Sequence, residues 1–455
     1  MQWLAGESSR RAELLEAVAR IERGDGIAWL RQRDRRRRLA RVPLPGGRCC
    51  FAKHYLASVR HPWREWWKRR LHLGAAEREW RTLVRLRAAG VPVPAPLAHA
   101  RLASGQHVVV TEWIDGIPLG EALAVTPARR RLLAATGALV RALHDAGWVH
   151  RDLHRENILV ADGTPVLIDL QAARRARGAA ARLRDLGRLD HSLRTLLTLA
   201  DRVRLRAAAL GAERPFDAAC RARLRAVGRA SLARGRAHAR SRAQRSLRAG
   251  RRAAHFEADG GRGLVSRAFD PAAVRALLAA PAATPGASGP TARSERKPSG
   301  AQRGEAERRS DGWANEDRPG LELRRYTARG CDLWHGSAAR RAWAVAHALE
   351  ASDVACVTPV AFLEWSRFGL PRRSALVVAT GGHEPACTFA RRLEAQSDLR
   401  VRMHEAGFSM PDLDPGGLAL AERAGRIEAQ VTALEKVSFP ARPRRAAWPS
   451  HFTRR

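Results

Sequence analysis

Alternating apolar runs and polar turns divide the start of the chain into a helix and several strands. Apolar residues between Leu14 and Ile21 recur with a helical period and predict a short amphipathic helix. From residue 26 to residue 55 the pattern changes to short apolar runs broken by turns, one of them Pro45-Gly46-Gly47. This pattern predicts an antiparallel meander whose last strand carries Lys53.

The next elements alternate in the same manner. A helical pattern carries Glu77 and Glu79 and ends near Gly90, a glycine suited to a helix C-terminus. The run from Val108 to Trp113, which contains Glu112, predicts another strand, and a long helical pattern covers residues 127–146. A sheet followed by helices predicts an α+β fold.

The stretch from Trp148 to Ala173 organises the rest of the chain. Apolar residues 158–160 and 166–168 flank an Asp162-Gly163 turn, which predicts a β-hairpin. Folding this hairpin brings Asn157, just before its first strand, next to Asp169, just after its second. Asp152 precedes Asn157 by five residues on the loop that leads into the hairpin.

These three side chains suggest a specific chemistry. Asn157 and Asp169 offer two oxygen ligands for a hard cation such as Mg²⁺. The carboxylate of Asp152 can accept or orient the proton of a hydroxyl group. Phosphoryl transfer needs this combination, a cation on the nucleotide phosphates and a carboxylate beside the acceptor.

Charge is the most extreme feature of the composition. The chain has 82 Lys and Arg against 45 Asp and Glu, a formal net charge of +37. Such a surface indicates a polyanionic partner: nucleic acid, anionic lipid headgroups or a phosphorylated sugar lipid. Much of the excess is arginine among alanine and leucine in helical stretches, so compositional bias is an alternative explanation. The tryptophans are not spaced as a base-stacking platform, which argues against a specific nucleic-acid binder.

Three observations bear on cellular location. The six cysteines form no CxxC pair and no metal-binding spacing, which predicts reduced thiols in a cytosolic protein. No run of eighteen apolar residues occurs, so any membrane contact is expected to be peripheral. Trp63, Trp66 and Trp67 lie among basic residues, which suits a membrane-interface patch. Alternatively, these tryptophans pack between the lysine strand and the glutamate helix.

Composition also predicts the domain organisation. Residues 282–319 consist mainly of Pro, Gly, Ser, Arg and Glu, which predicts a disordered linker. We therefore expect an N-terminal sheet lobe over 1–113, a helical lobe over 114–281, and a further domain over 320–455.

The last of these domains resembles a weakened copy of the first. Several short segments correspond, and the aligned residues are Lys53 with Arg324, Tyr55 with Tyr326, Glu79 with Ala342, Asp152 with Asp412, Asn157 with Gly417, and Asp169 with Glu435. A copy that has lost the glutamate partner of the lysine and one candidate metal ligand should not turn over ATP efficiently. The alternative is an unrelated α+β domain.

The motif set resembles the protein-kinase-like superfamily: a strand lysine, a helix glutamate, the His-Arg-Asp segment ending at Asp152 followed by Asn157, and Asp169 after a hairpin. Within it, the chain looks most like the lipopolysaccharide core kinases, bacterial enzymes that phosphorylate heptose or Kdo sugars. The segments that carry this closer resemblance are Phe51-Ala52-Lys53-His54-Tyr55, Glu79-Trp80-Arg81 and Ile168-Asp169-Leu170-Gln171. The resemblance implies a bilobal protein-kinase-like fold with an antiparallel-sheet N-lobe and a mainly helical C-lobe.

The resemblance also implies roles for individual residues. Lys53 would contact the nucleotide phosphates of ATP and Glu79 would hold its ammonium group, with Glu77 as the alternative. Asn157 and Asp169 would ligate Mg²⁺, and Asp152 would orient the acceptor hydroxyl.

Some positions extend or depart from this pattern. Glu112 is a further candidate for nucleotide binding. No glycine-rich loop precedes Lys53, so phosphate cover is expected from backbone groups and the basic corner Arg35 to Arg38. No Ala-Pro-Glu follows Asp169, which argues against a peptide substrate.

The sequence therefore predicts an ATP- and Mg²⁺-dependent kinase that acts on lipopolysaccharide inner core, peripherally bound at the cytoplasmic face of the inner membrane. Two alternatives remain. One is a soluble small-molecule kinase of the aminoglycoside or choline type. The other is a non-catalytic pseudokinase that serves as a scaffold in envelope biogenesis.

Overall fold

The structure is a computed structural model, and it divides into two compact units, Met1–Arg234 and Gly235–Arg455. The residues that it describes are 2–25, 27–30, 37–56, 74–212, 217–280, 307–310, 320–328, 332, 336–367, 370–380, 388–410, 417–423 and 426–438. Each unit contains a six-stranded antiparallel sheet.

The first sheet has the strand order β1-β5-β6-β4-β3-β2, and all its neighbours are antiparallel. Its strands are β1 (Gln2–Gly6), β2 (Ala28–Trp29), β3 (Arg37–Pro43), β4 (Cys49–Tyr55), β5 (Pro96–Arg101) and β6 (His107–Glu112). The predicted meander is confirmed, whereas β1 was not expected from the sequence. It lies at the edge of the sheet and pairs with β5, which is distant in sequence.

Two helices cover the two faces of this sheet. Helix α1 (Arg11–Arg23) buries Leu14, Val18 and Ile21 in an apolar cluster with alternate residues of the strands. Helix α2 (Ala75–Ala88) belongs with the opposite face, where Val109 of β6 and Leu83 of the helix share a second cluster. Successive strand residues point to opposite faces, so Lys53 lies on the α2 side and its neighbours on the α1 side.

The second part of this unit is mainly helical and carries the predicted hairpin. Its helices are α3 (Leu119–Val125), α4 (Arg129–Asp145), α5 (Ala179–Ser192), α6 (Leu199–Leu210) and α7 (Ala218–Ser246), the last of which contains the boundary between units. Its short strands are β7 (Ile117–Pro118), β8 (Trp148–Val149), β9 (Ile158–Ala161), β10 (Thr164–Leu167) and β11 (Arg174–Arg175). Strands β9 and β10 pair antiparallel across the Asp162-Gly163 turn, so the hairpin prediction is confirmed. The expected α+β bilobal arrangement is present in this unit.

The second unit has a sheet of order β12-β13-β16-β17-β15-β14. Its strands are β12 (Ala253–Ala258), β13 (Gly261–Ser266), β14 (Glu307–Ser310), β15 (Gly320–Thr327), β16 (Thr358–Arg367) and β17 (Leu370–Thr380), followed by a separate hairpin of β18 (Leu418–Arg423) and β19 (Arg426–Val431). Its own helices are α8 (Pro271–Ala279), α9 (Ala338–Ala351) and α10 (Phe389–Ala406).

The predicted boundary at residue 281 is wrong. Strand β13 pairs with β16 over Arg262 to Val265, so residues 253–266 belong to the sheet of the second unit and not to the helical lobe. The apolar residues of these strands, Phe256 and Val265, are buried against β16 and β17 in the same cluster. Within the predicted linker, Glu307–Ser310 forms a strand against β15, and the rest of 282–319 lies outside the described residues.

None of the helices in the described ranges is both long enough and apolar enough to cross a membrane.

Candidate active site

Lys53 is the centre of the candidate site. It lies on β4, between β3 and β6, with 8% of its surface exposed. Its Nζ donates to Glu79 Oε1 at 2.6 Å and to Asp169 Oδ1 at 2.9 Å. Burial alone would lower the pKa of this ammonium group, but the two carboxylates outweigh that effect and raise the pKa. The lysine is therefore charged at neutral pH.

Glu79, and not Glu77, is the helix residue that reaches Lys53. Glu79 lies on α2 with 2% exposure, and the hydroxyl of Tyr55 also donates to its carboxylate. Glu77 lies two residues earlier on the same helix and has a different partner. Its Oε1 is 3.5 Å from His107 Nδ1. The structure thus favours the predicted choice between the two glutamates on geometric grounds.

Asp169 accepts charge-assisted hydrogen bonds from two basic residues. Besides Lys53, the guanidinium of Arg37 donates to both of its oxygens, at 2.9 and 3.3 Å. Burial would raise the pKa of Asp169, but Lys53 and Arg37 lower it well below its usual range. The residue has φ 58°, ψ 57°, a left-handed conformation that turns the chain sharply after the hairpin.

The hairpin places Asn157 near Asp169, as predicted. The N–H of Ile168 donates to the main-chain oxygen of Asn157 at 3.0 Å, which joins the start of β9 to the residue before Asp169. The side-chain amide of Asn157 donates to the main-chain oxygen of Asp152 at 2.9 Å. Because the amide nitrogen of Asn157 is the donor in this bond, its amide oxygen is the atom that could serve as a metal ligand. The Asp152 carboxylate is exposed, and one of its oxygens is 3.8 Å from His154 Nε2.

A buried aspartate fixes the loop before Asn157. Asp185 has no exposed surface and accepts hydrogen bonds from the main-chain N–H groups of His150 and Arg151, both at 2.7 Å. Arg151 has φ 66°, so these two bonds hold a backbone conformation that a non-glycine residue rarely adopts. His150 is fully buried and donates from Nε2 to Ile168 O at 2.9 Å. It packs under the loop.

Other predicted residues do not join this cluster. Glu112 lies opposite Cys50 at the end of β6, and its carboxylate accepts from the N–H of Ala95 at 3.3 Å. Of the basic corner, Arg37 reaches Asp169 while Arg38 stacks over Trp29, 5.6 Å from its ring centre. Arg35 and Arg36 lie outside the described residues, as do Trp63, Trp66 and Trp67.

The donors around Asp169 fit a magnesium ion and a nucleotide. A carboxylate and an amide oxygen at one end of a hairpin are the hard ligands that Mg²⁺ prefers. Arg37 and Lys53 provide two cations at the same carboxylate, where phosphate oxygens can replace their present contacts. The arrangement can therefore hold a metal-bound triphosphate next to the exposed carboxylate of Asp152.

Comparison with a family model decides the assignment of this region. Residues 25–208 match the model described as the lipopolysaccharide kinase (Kdo/WaaP) family. The resemblance that the motifs carry is thereby confirmed for the region that contains all six predicted site residues. Because the family is one of kinases, the prediction of a phosphotransferase is confirmed as well.

Three solved structures resemble this chain weakly. WaaP in complex with acyl carrier protein has 22% identity and a TM-score of 0.36, and the match covers 50% of this chain and 99% of the WaaP chain. A Rio2 kinase–ADP/Mg²⁺–phosphoaspartate complex from Chaetomium thermophilum has 20% identity, a TM-score of 0.33, and coverage of 49% and 77%. The amicoumacin kinase hAmiN with AMP-PNP, Ca²⁺ and Ami has 13% identity, a TM-score of 0.34, and coverage of 50% and 86%. A comparison with curated proteins finds no match.

Sequence reasoning missed two partners in this site. Arg37 was included only as part of a basic corner, and its direct contact with Asp169 was not expected. Tyr55 was included in the family resemblance and in the repeat, but its hydrogen bond to Glu79 was not expected. The two-residue spacing of Lys53 and Tyr55 on one strand could have indicated that they share a face.

Proposed function

We propose that the first unit transfers a phosphoryl group from ATP, with Mg²⁺, to a heptose or Kdo hydroxyl of the lipopolysaccharide inner core. The site of action would be the cytoplasmic face of the inner membrane. The observation that carries this proposal is the position of Lys53, which bridges a helix glutamate and the aspartate that follows the hairpin. The match of residues 25–208 to a lipopolysaccharide kinase family supports the acceptor class.

Each residue of the site has a role in this proposal. Lys53 holds the nucleotide phosphates, and Glu79 with Tyr55 keeps its side chain extended into the cleft. Asp169 and Asn157 hold the cation, which when bound neutralises charge on the phosphate oxygens. Asp152 accepts the proton of the attacking hydroxyl, because its carboxylate is the exposed one.

The net charge suits this acceptor. Lipopolysaccharide core is an anionic glycolipid, and a chain with a formal charge of +37 attracts anionic surfaces over the screening distance of about 10 Å at moderate salt. Peripheral binding to the membrane face where the acceptor lies follows from the same charge.

The second unit is, in this proposal, a degenerate kinase-like repeat. Its order of elements along the chain supports the proposal: β13, α8, β14, β15, α9, β16 and β17 follow each other as β1, α1, β3, β4, α2, β5 and β6 do in the first unit. The spatial order of the matching strands is also the same in the two sheets. In this proposal the repeat begins with β13, at residue 261, well before the residue 320 expected from composition.

The groups of the second unit that correspond to the site differ. Arg324 on β15 takes the position of Lys53 and lies 3.7 Å from Glu435. On α9, the position aligned with Glu79 is the buried Ala342. A short 3-10 turn, Leu434–Lys436, follows hairpin β18–β19 as Leu170–Ala172 follows β9–β10. The residue before it is Ala433 where the first unit has Asp169, so this match shifts the counterpart of Asp169 by two positions from the Glu435 of the sequence alignment. These losses support a unit without phosphoryl transfer of its own.

The test uses the purified full chain, labelled ATP and lipopolysaccharide that lacks core phosphate. We expect label in the core sugars, and a loss of about 10²- to 10⁴-fold in the Asp152→Asn variant, because the acceptor proton then has no base. The matched control is Asp162→Asn, an exposed aspartate in the hairpin turn whose left-handed conformation asparagine also adopts.

Other outcomes of this assay would contradict the proposed base, the proposed acceptor or the proposed activity. Full activity of Asp152→Asn would contradict the proposed base. Transfer to free sugars or amino alcohols, with none to the glycolipid, would replace the proposed acceptor by a small soluble one. Nucleotide binding without any transfer would favour a non-catalytic scaffold.

A further inference from the structure

Two histidines and a glutamate meet outside the proposed phosphotransfer site. His99 lies on β5, His107 on β6 and Glu77 on α2. In the register of the two strands, His99 is opposite Val109 and His107 is opposite Arg101. The two histidines are therefore diagonal neighbours on one face of the sheet, the face that α2 covers.

Their potential ligand atoms converge. His99 Nε2 is 3.1 Å from His107 Nδ1, and His107 Nδ1 is 3.5 Å from Glu77 Oε1. All three ligand atoms lie within 4.8 Å of one another. Glu77 and His99 are 6% and 4% exposed, so the donors are removed from bulk water.

Two of these distances, 3.1 and 3.5 Å, are close to those between ligands of a tetrahedral metal ion. With metal–ligand bonds of about 2.0–2.1 Å, two ligands of a tetrahedral ion are separated by about 3.3–3.4 Å. Two imidazoles with one carboxylate form a donor set that zinc and neighbouring divalent metals accept, whereas Mg²⁺ and Ca²⁺ prefer oxygen ligands. We propose that Glu77, His99 and His107 form a binding site for a divalent transition metal of the Zn²⁺ type, with water as the fourth ligand.

The local backbone is shaped for the glutamate. Residue 74, which precedes α2, is a glycine, and a Cβ built there would lie 2.0 Å from Glu77 Oε2. A side chain at position 74 would thus displace the carboxylate from its place beside the histidines. Trp80, from the next turn of α2, stacks on His99 with ring centres 6.0 Å apart and holds that ring in place.

The proposed metal site has a consequence for the lysine. Glu77 and Glu79 share helix α2, and Glu79 holds Lys53 at 2.6 Å. A metal bound between Glu77 and the two sheet histidines would join α2 to β5 and β6. It would therefore keep Glu79 at the lysine, and the loaded protein should resist unfolding more than the stripped one.

The experiment is metal binding by the tag-free full chain after treatment with chelator and dialysis. We expect one equivalent of Zn²⁺, and with Co²⁺ the intense visible absorption of a tetrahedral nitrogen- and oxygen-bound ion. His99→Gln, His107→Gln and Glu77→Gln should each weaken binding by about 100-fold or more. His54→Gln is the matched control, since His54 lies in the same sheet with 8% exposure but points to the other face.

Two further measurements test whether the metal stabilises the fold and whether its site is separate from the phosphotransfer site. A hundredfold excess of Zn²⁺ over its Kd should raise the thermal midpoint by roughly 5–10 °C in the parent and His54→Gln proteins, and not in the three variants. Asp169→Asn should keep the transition metal while it loses Mg²⁺-nucleotide, which separates this site from the proposed phosphotransfer site. Absence of the bound equivalent, or equal binding by the His99→Gln, His107→Gln and control proteins, would overturn the proposal.

Discussion

The two units place a basic side chain on a strand of similarly ordered sheets but give it different partners. Lys53 contacts Glu79 from a helix and Asp169 from the end of a hairpin, at 2.6 and 2.9 Å. Arg324 donates to both carboxylate oxygens of Glu322, at 2.9 and 3.0 Å, and to the main-chain oxygen of Thr432. The partners of the lysine come from separate elements, whereas the main partner of the arginine is two residues away on its own strand.

On the proposed function, this difference would let the first arrangement bind a ligand and the second stabilise the fold. A cation that binds phosphate needs partners that a ligand can displace, and the side chain of Asp169 is 22% exposed. Arg324 is 1% exposed, and its donors are used by a neighbouring carboxylate and by fixed backbone. Its guanidinium therefore stabilises the fold of the second unit, as buried arginines with satisfied hydrogen bonds do.

The largest expected effect contrasts these two basic residues directly. Lys53→Ala should reduce phosphoryl transfer by about 10²- to 10³-fold or more, because a preorganised cation at the phosphates is lost. Arg324→Ala should leave transfer within about twofold, although removal of a buried charged group destabilises the second unit by about 1–3 kcal/mol. Steady-state kinetics and urea unfolding of both variants measure the contrast. An equal loss of transfer in the two variants would mean that the second unit takes part in catalysis.

A second prediction concerns the number of nucleotide sites. We expect one equivalent of a non-hydrolysable ATP analogue per chain in the presence of Mg²⁺, since only the first unit has the aspartate before its 3-10 turn. Asp169→Asn should weaken this binding by about 100-fold, because a charged ligand of the cation is lost. Equilibrium dialysis gives both numbers. A second equivalent, or one that survives Asp169→Asn, would show that the second unit also binds nucleotide.

The comparison also shows what local pattern could predict. The hairpin was predictable because Asp162-Gly163 lies between two β-branched runs, and the glutamate helix because its apolar period ends near Gly90. Strands β12 and β13 were not assigned to the second sheet. They pair with each other, and β13 joins the sheet only through β16, about a hundred residues later, so nothing local specifies the pairing. Long-range strand register is the information that a single sequence conveys least.

The candidate site also combines contacts that could be predicted from sequence with contacts that could not. The resemblance carried by the sequence motifs led us to expect Lys53, Glu79 and Asp169 in one site, and their side chains are in contact. The Arg37–Asp169 contact could not be predicted, because its residues are 132 positions apart and one arginine in a run of four cannot be singled out by composition. The burial of Glu77 beside His99 and His107 was missed for a similar reason, because the two histidines lie on separate strands, 22 and 30 positions from Glu77 in sequence.

A third prediction tests that unforeseen contact. Arg37→Ala should raise the KM for ATP by about tenfold with a smaller change in kcat, because one charged hydrogen-bond donor at the phosphates is worth about 1.5–3 kcal/mol at most. Arg37→Lys should recover part of the loss. The matched control is Arg38→Ala, since Arg38 is the next residue and stacks on Trp29 on the opposite face. If Arg37→Ala instead lowers the Mg²⁺ requirement with KM unchanged, Arg37 competes with the cation for Asp169.

The smallest expected effect is a pH dependence confined to the first unit. Asp190 has no exposed surface and pairs with Arg206 at 2.7 Å and Arg202 at 2.6 Å. Burial would raise the pKa of Asp190, but the two arginines lower it below its usual range. A carboxyl group with a lower pKa in the folded state contributes stability above its unfolded pKa of about 3.9, and that stability is lost as the pH falls through the folded value.

Acidification below about pH 4 should therefore reduce the free energy of unfolding of the first unit by about 1–2 kcal/mol through this group. Asp190→Asn cannot titrate, so its stability deficit relative to the parent should shrink as the pH falls. Hydrogen exchange measured by peptide, with rates corrected for their intrinsic pH dependence, reports the two units separately. A deficit that stays constant with pH would mean that the pKa of Asp190 is the same in the folded and unfolded states. Packing, and not charge, would then hold α5 to α6.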